Sequence, residues 1–108
     1  MKENTNKSPS KESTAIRIKH EDYEELSELA YQNRSGIPEI LSKVVEEAKD
    51  HLDEINIPEY HKPKIKAETK GIRIYIDDRE FLKDLAHKRK SKIIDIINIF
   101  ISEYKKKH

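Results

Sequence analysis

The sequence predicts a mainly α-helical fold built around one short two-stranded antiparallel β-ribbon. Three observations predict it. A stretch of about 35 residues is written twice, at an offset of 56 positions. Each copy opens with a short run in which isoleucine alternates with other residues, the period of a half-buried strand. Each run is followed by two stretches whose apolar residues recur at helical spacing.

The repeat aligns AIRIKHEDYEELSELAYQNRSGIPEILSKVVEEAK (15–49) with GIRIYIDDREFLKDLAHKRKSKIIDIINIFISEYK (71–105) without a gap. Ile16-Arg17-Ile18 falls on Ile72-Arg73-Ile74, and Leu26, Leu29 and Ala30 fall on Leu82, Leu85 and Ala86. From 16 to 49, 13 of 34 positions are identical, which is too many for chance in a gapless match. The units span 13–51 and 69–108. Residues 1–12 read as a flexible tail, and 52–68, with Pro58 and Pro63 and no sustained period, read as a linker.

Within each unit the strand is expected at 14–19 and 70–76. In the second strand Ile72, Ile74 and Ile76 form one face, and Gly71, Arg73 and Tyr75 form the other. Glu21 and Asp22, like Asp77 and Asp78, suit the start of a helix, where unpaired N–H groups and the dipole favour anions. The first helix carries Tyr23, Leu26, Leu29 and Ala30, or Leu82, Leu85 and Ala86 with Phe81 beside them. After a polar break, Ser35 and Ser91 are expected to be the N-caps of the second helix. Pro38 fits only its first turn. That helix has the cleanest stripe in the chain: Ile37, Ile40, Leu41, Val44, Val45, Ala48 and Leu52, repeated as Ile93, Ile96, Ile97, Phe100, Ile101 and Tyr104. Ile94 and Ile99 widen the second copy's apolar face.

A strand this short is not stable alone. The economical solution pairs the two strands antiparallel, with Ile16, Ile18, Ile72, Ile74 and Ile76 covering a core made by four helices. The outer face then carries Ser13, Ala15, Arg17 and Lys19 with Thr69, Gly71, Arg73 and Tyr75. The 17-residue linker reaches ~55 Å when extended, and the tether sets an effective concentration of roughly millimolar. The pattern also admits pairing of each strand with its twin in a second chain.

Composition narrows the function. Of 108 residues, 40% are charged and 34% apolar, which suits a thin core. There is no Cys, so disulfides and thiolate metal sites are excluded, and the five histidines form no metal-ligand spacing. No cofactor is expected. No apolar run approaches the ~20 residues of a membrane span, and the first residues lack the apolar core of a secretion signal. A cytoplasmic protein is expected. Net charge is only +1, but residues 13–51 carry 5 Lys/Arg against 9 Asp/Glu while 69–108 carry 11 against 6. The second unit has a basic character that the total hides.

Strand, L-x-x-L-A helix, Ser-containing turn and amphipathic second helix resemble the ribbon-helix-helix DNA-binding proteins, the Arc, MetJ and CopG repressors and their relatives. The resemblance covers about two thirds of the chain, and a tandem arrangement is similar to TraY-type proteins. It implies an intramolecular pseudo-dimer whose ribbon enters the DNA major groove, with phosphates held at the second-helix N-termini. Carried over residue by residue, it places base contacts at Ser13, Ala15, Arg17, Thr69, Gly71 and Arg73, flanked by Lys19 and Tyr75. Phosphate contacts fall on Ser35, Gly36, Ser91 and Lys92, with Lys90 beside them. Ala15 and Gly71 depart from the long polar readers usual in such families, leaving Arg17 and Arg73 as the main candidates. Gly71 marks either a close backbone approach or mere tolerance.

Arginine suits base readout because its planar fork bonds guanine O6 and N7 together. No Ser/His/Asp set or Gly-rich phosphate loop accompanies the acids, so catalysis is not expected. The expected function is sequence-specific binding of double-stranded DNA. The role would be that of a repressor or of a plasmid transfer or partition accessory working with a relaxase. Such a protein would be a monomer in isolation and could assemble as several units side by side on DNA. The alternative is a protein-interaction module, such as an antitoxin or assembly adaptor.

Overall fold

The computed structural model describes residues 12–108. The tail expected over 1–12 lies outside them except for Glu12. The chain is mainly helical, with one two-stranded antiparallel sheet and four helices. In order they are β1 (Ser13–Lys19), α1 (His20–Asn33), α2 (Ile37–Asp50), a 3₁₀ turn (Leu52–Glu54), β2 (Thr69–Tyr75), α3 (Ile76–Arg89) and α4 (Ile93–Lys107).

The ribbon register pairs Ser13 with Tyr75, Ile16 with Ile72 and Lys19 with Thr69. Every pair sums to 88, so the register maps onto itself under the 56-residue offset, about the Ile16–Ile72 rung. The ladder runs one rung further at each end. His20 N–H donates to the Glu68 carbonyl and Ile76 N–H to the Glu12 carbonyl, both at 2.9 Å. Each strand therefore enters its helix without a loop.

Alternation sends Ile18 and Ile74 fully into the core, with Ile72 buried and Ile16 half-buried beside them. Ile76 departs from its expected place. It is the first residue of α3, not the last of the strand, and is 37% exposed, because the helical turn swings its side chain off the isoleucine face. Beneath the ribbon lie Leu26 and Leu82 from α1 and α3, and Ile40, Leu41, Val44, Val45, Ile96, Ile97, Phe100 and Ile101 from α2 and α4. Each such side chain contributes roughly 1.5–3 kcal/mol on burial. Ile94 and Ile99 are half-buried.

The two units interlock through polar pairs as well. The Asn98 amide of α4 donates to Asp22 of α1 at 2.9 and 3.1 Å. At the positions shifted by 56, the Asp78 carboxyl of α3 is hydrogen-bonded by Ser42 of α2. Asp22 and Asp78 are thus buried, at 3% and 4% exposure, and are not simply solvated first-turn acids. The segment between the units is more than a tether. Ile55 and Ile57 are buried in the core, and the Tyr60 N–H donates to the Lys90 carbonyl at 2.8 Å.

Among the described residues no helix is long and apolar enough to cross a membrane.

Candidate nucleic-acid interface

The outward ribbon face presents Ala15, Arg17, Gly71 and Arg73 exposed, with Ser13, Lys19, Thr69 and Tyr75 half-buried at its ends. Both arginines lie across the ribbon in the same way. Arg17 donates from Nε to Thr69 Oγ1 at 2.9 Å and from Nη2 to the Thr69 carbonyl at 3.1 Å. Arg73 donates from Nε to Ser13 Oγ at 3.2 Å and from Nη2 to the Ser13 carbonyl at 2.8 Å. Two of each guanidinium's donors are engaged in this way, which fixes its plane against the opposite strand.

This geometry explains the two small residues. Gly71 stands opposite Arg17 and Ala15 opposite Arg73. A Cβ on Gly71 would lie 3.7 Å from Arg17 Nη1, an ordinary contact, so an alanine fits there as it does at 15. A longer side chain at 71 would contest the space beside the Arg17 guanidinium. Ser13 and Thr69, expected to touch bases, are the acceptors that orient the arginines. Lys19 Nζ sits 3.8 Å from Asp95 Oδ1, which ties its end of the ribbon to the first turn of α4.

The turns before α2 and α4 differ from expectation by one residue. Arg34 and Lys90 adopt the left-handed conformation, both at φ 53°. Ser35 and Ser91 N–H then bond back to Ala30 and Ala86 carbonyls at 2.9 Å, closing α1 and α3 with a Schellman motif. Consequently Gly36 and Lys92, not Ser35 and Ser91, are the N-caps. Ser35 Oγ is buried and has no hydrogen-bond partner among the described residues. Glu39 takes over the capping: its Oε1 accepts from Gly36 N–H at 2.8 Å. A Cβ at 36 would lie 2.6 Å from that oxygen, so glycine permits the approach.

Position 92 carries lysine, and the acid three residues on is the shorter Asp95, which pairs with Lys19 instead. The α4 end is the more cationic. Lys88, Arg89, Lys90 and Lys92 surround it, and Lys92 Nζ lies 5.1 Å from the Tyr60 ring centroid. Tyr60 and Glu39 belong to the site's surroundings without having been singled out from the sequence. The G-x-x-E spacing was the available signal for Glu39; nothing in the segment around Tyr60 announced its docking.

Behind the ribbon, burial raises the Asp22 and Asp78 carboxyls above the usual value, partly offset by hydrogen bonds from Asn98 and Ser42 respectively. Asp78 Oδ2 is buried with no hydrogen-bond partner among the described residues. A cavity between Val44, Ala48, Ile55, Phe100 and Tyr104 holds about 10 Å³, room for one water at most. Among the described residues no group of three or more His, Cys, Asp or Glu side chains gathers to hold a metal ion.

No protein-family model, curated protein or solved structure matches this chain.

Proposed function

We propose that this chain is a tandem ribbon-helix-helix protein, an intramolecular pseudo-dimer that binds double-stranded DNA with its ribbon in the major groove. The observation that carries the reading is the matched pair Arg17 and Arg73. They occupy equivalent places on the two strands, on the exposed face, each held flat by two bonds to the opposite strand. A fork held in this way is ready for bidentate contact to guanine, worth about 1–3 kcal/mol of discrimination per good pair. The two strands differ around the arginines, so the target is asymmetric, not a perfect palindrome. The role that fits is a cytoplasmic repressor, or an accessory at a plasmid transfer or partition site that works beside a relaxase.

A protein-interaction role, as an antitoxin or adaptor, is the competing reading, and the net charge of +1 favours it. The experiment that separates them is selection from a random-sequence duplex pool, followed by fluorescence anisotropy at 150 mM salt with competitor DNA. Wild type should select a site. Arg17→Ala with Arg73→Ala should lose preference for it while keeping wild-type helicity. Failure of wild type to enrich any sequence would move the interaction reading to first place.

A further inference from the structure

The segment 60–68 joins two parts of the face described above. At one end Tyr60 N–H is bonded to the Lys90 carbonyl, and the Tyr60 ring lies beside Lys92. At the other end Glu68 closes the ribbon ladder against His20. These anchors are themselves neighbours, because the Lys19–Thr69 rung is tied to the first turn of α4 through Lys19 and Asp95. The nine residues between, which span at most ~30 Å, form no helix or strand. Every residue from 58 to 68 is exposed, Ile65 to 85%.

Three lysines alternate along this exposed segment, Lys62, Lys64 and Lys66, about Pro63. They form no ion pair among the described residues, and neither do Lys90 and Lys92 at the turn beside Tyr60, whereas Lys19, Lys49, Lys88, Lys105 and Lys106 each face a carboxylate. Upstream, buried Ile55 and Ile57 fasten the segment to the core, and the Tyr60–Lys90 bond sets its start beside the α3–α4 turn, with Glu59 and Glu68 flanking the three lysines in sequence. The positions 56 residues earlier are Asn6, Ser8 and Ser10, and the stretch ahead of the first strand carries Lys7 and Lys11 in place of the alternating triplet.

We propose that residues 60–66 form a second DNA-binding element, a basic strap that follows the sugar–phosphate backbone on the flank of the second unit. The proposal rests on the DNA-binding reading above. The strap reads no bases. It adds phosphate neutralisation on one side only, lengthening the footprint in one direction and fixing which way round the protein lies on an asymmetric site.

The test uses the full chain on the site selected by wild type, with affinity measured from 50 to 200 mM salt and hydroxyl-radical footprints. Lys62→Gln/Lys64→Gln/Lys66→Gln should flatten the slope of log K against log salt by about 2 to 3, close to 0.9 per lost phosphate contact. It should weaken binding at least about ten-fold at the low-salt end, remove protection on one flank and leave base preference intact. Lys105→Gln/Lys106→Gln/Lys107→Gln removes the same charge from the far end of α4, roughly 20 Å away along a 15-residue helix. It should leave the footprint unchanged and the slope nearly so. Selected-site binding by wild type with an unchanged strap variant overturns the strap alone, as does an equal effect from the C-terminal control. Absence of any selected site overturns the strap and the DNA-binding reading together.

Discussion

Asn98 on α4 donates its side-chain amide to both carboxylate oxygens of Asp22 on α1, at 2.9 and 3.1 Å, and so ties the second unit to the first across the core. Without it, a carboxylate that is 3% exposed loses its principal donor. Asn98→Ala should therefore cost about 1–3 kcal/mol in urea unfolding. Adding Asp22→Ala should recover a large part of that loss, because the unpaired charge is then gone. A single variant as stable as wild type would mean that water satisfies Asp22 without help.

The same burial gives the fold a pH dependence of defined sign. Asp78 titrates above its ordinary value of 3.8 in the folded chain, chiefly through burial, with the Ser42 bond opposing. Between the unfolded and the folded values the native state binds more protons. Stability therefore falls as pH rises through that window and stays reduced above it. Asp22 behaves likewise, with the Asn98 bond opposing. Asp78→Asn should raise the urea midpoint at pH 7, and the gain should shrink to nothing as pH falls below 3.8. A lower midpoint at pH 7 would show that the ionised carboxylate, at the start of α3, is a net stabiliser.

Arg34 and Lys90 hold φ at 53°, where the Cβ of an L-residue meets the following carbonyl. Glycine is the usual residue at such a helix end. Arg34→Gly and Lys90→Gly should each stabilise by about 1 kcal/mol, and the two gains should add, since the turns belong to different helix pairs. Thermal unfolding of the two single variants and the double reads this directly. Loss of stability in either would assign that side chain a contact outweighing the strain.

These turns also show where the sequence stops being legible. The ribbon and the four helices could be read because alternation and helical spacing are each stated twice, but the register could not, since any antiparallel pairing of two copies maps onto itself under the offset. Nor could the caps. Ser35 and Ser91 have the preferred N-cap chemistry, but the preceding left-handed residue is Arg or Lys, which gives no warning that the serine N–H is already committed to the previous helix. Asp22 looked like a solvated first-turn acid because its partner Asn98 lies 76 positions away. The polar interruption in IIDIINIF was the only trace of it. Ile55 and Ile57 are two alternating residues, too few to mark a segment as buried. At the ribbon, Ala15 and Gly71 read as absent readers, whereas the register sets them directly opposite Arg73 and Arg17.

Glu39 sets opposing demands at the start of α2. Its Oε1 accepts from Gly36 N–H at 2.8 Å, which caps the helix, and on the DNA-binding reading proposed above its charge occupies the place where a phosphate would approach the dipole. Glu39→Gln keeps the acceptor and removes the charge, so stability should fall by only about 0.3–1 kcal/mol. DNA affinity should rise about 2- to 5-fold, as expected for relieving a charge of 0.3–1 kcal/mol at a helix end. The gain should be equal for selected and random duplexes, because phosphate contacts carry no sequence information. Glu39→Ala should give the same gain in affinity with a measurable loss of stability, since Gly36 N–H is then uncapped. Anisotropy titrations on both duplexes, run beside urea unfolding, separate the two effects. Unchanged affinity in both variants would place the α2 N-terminus away from the phosphates, leaving the cationic α3–α4 turn as the clamp.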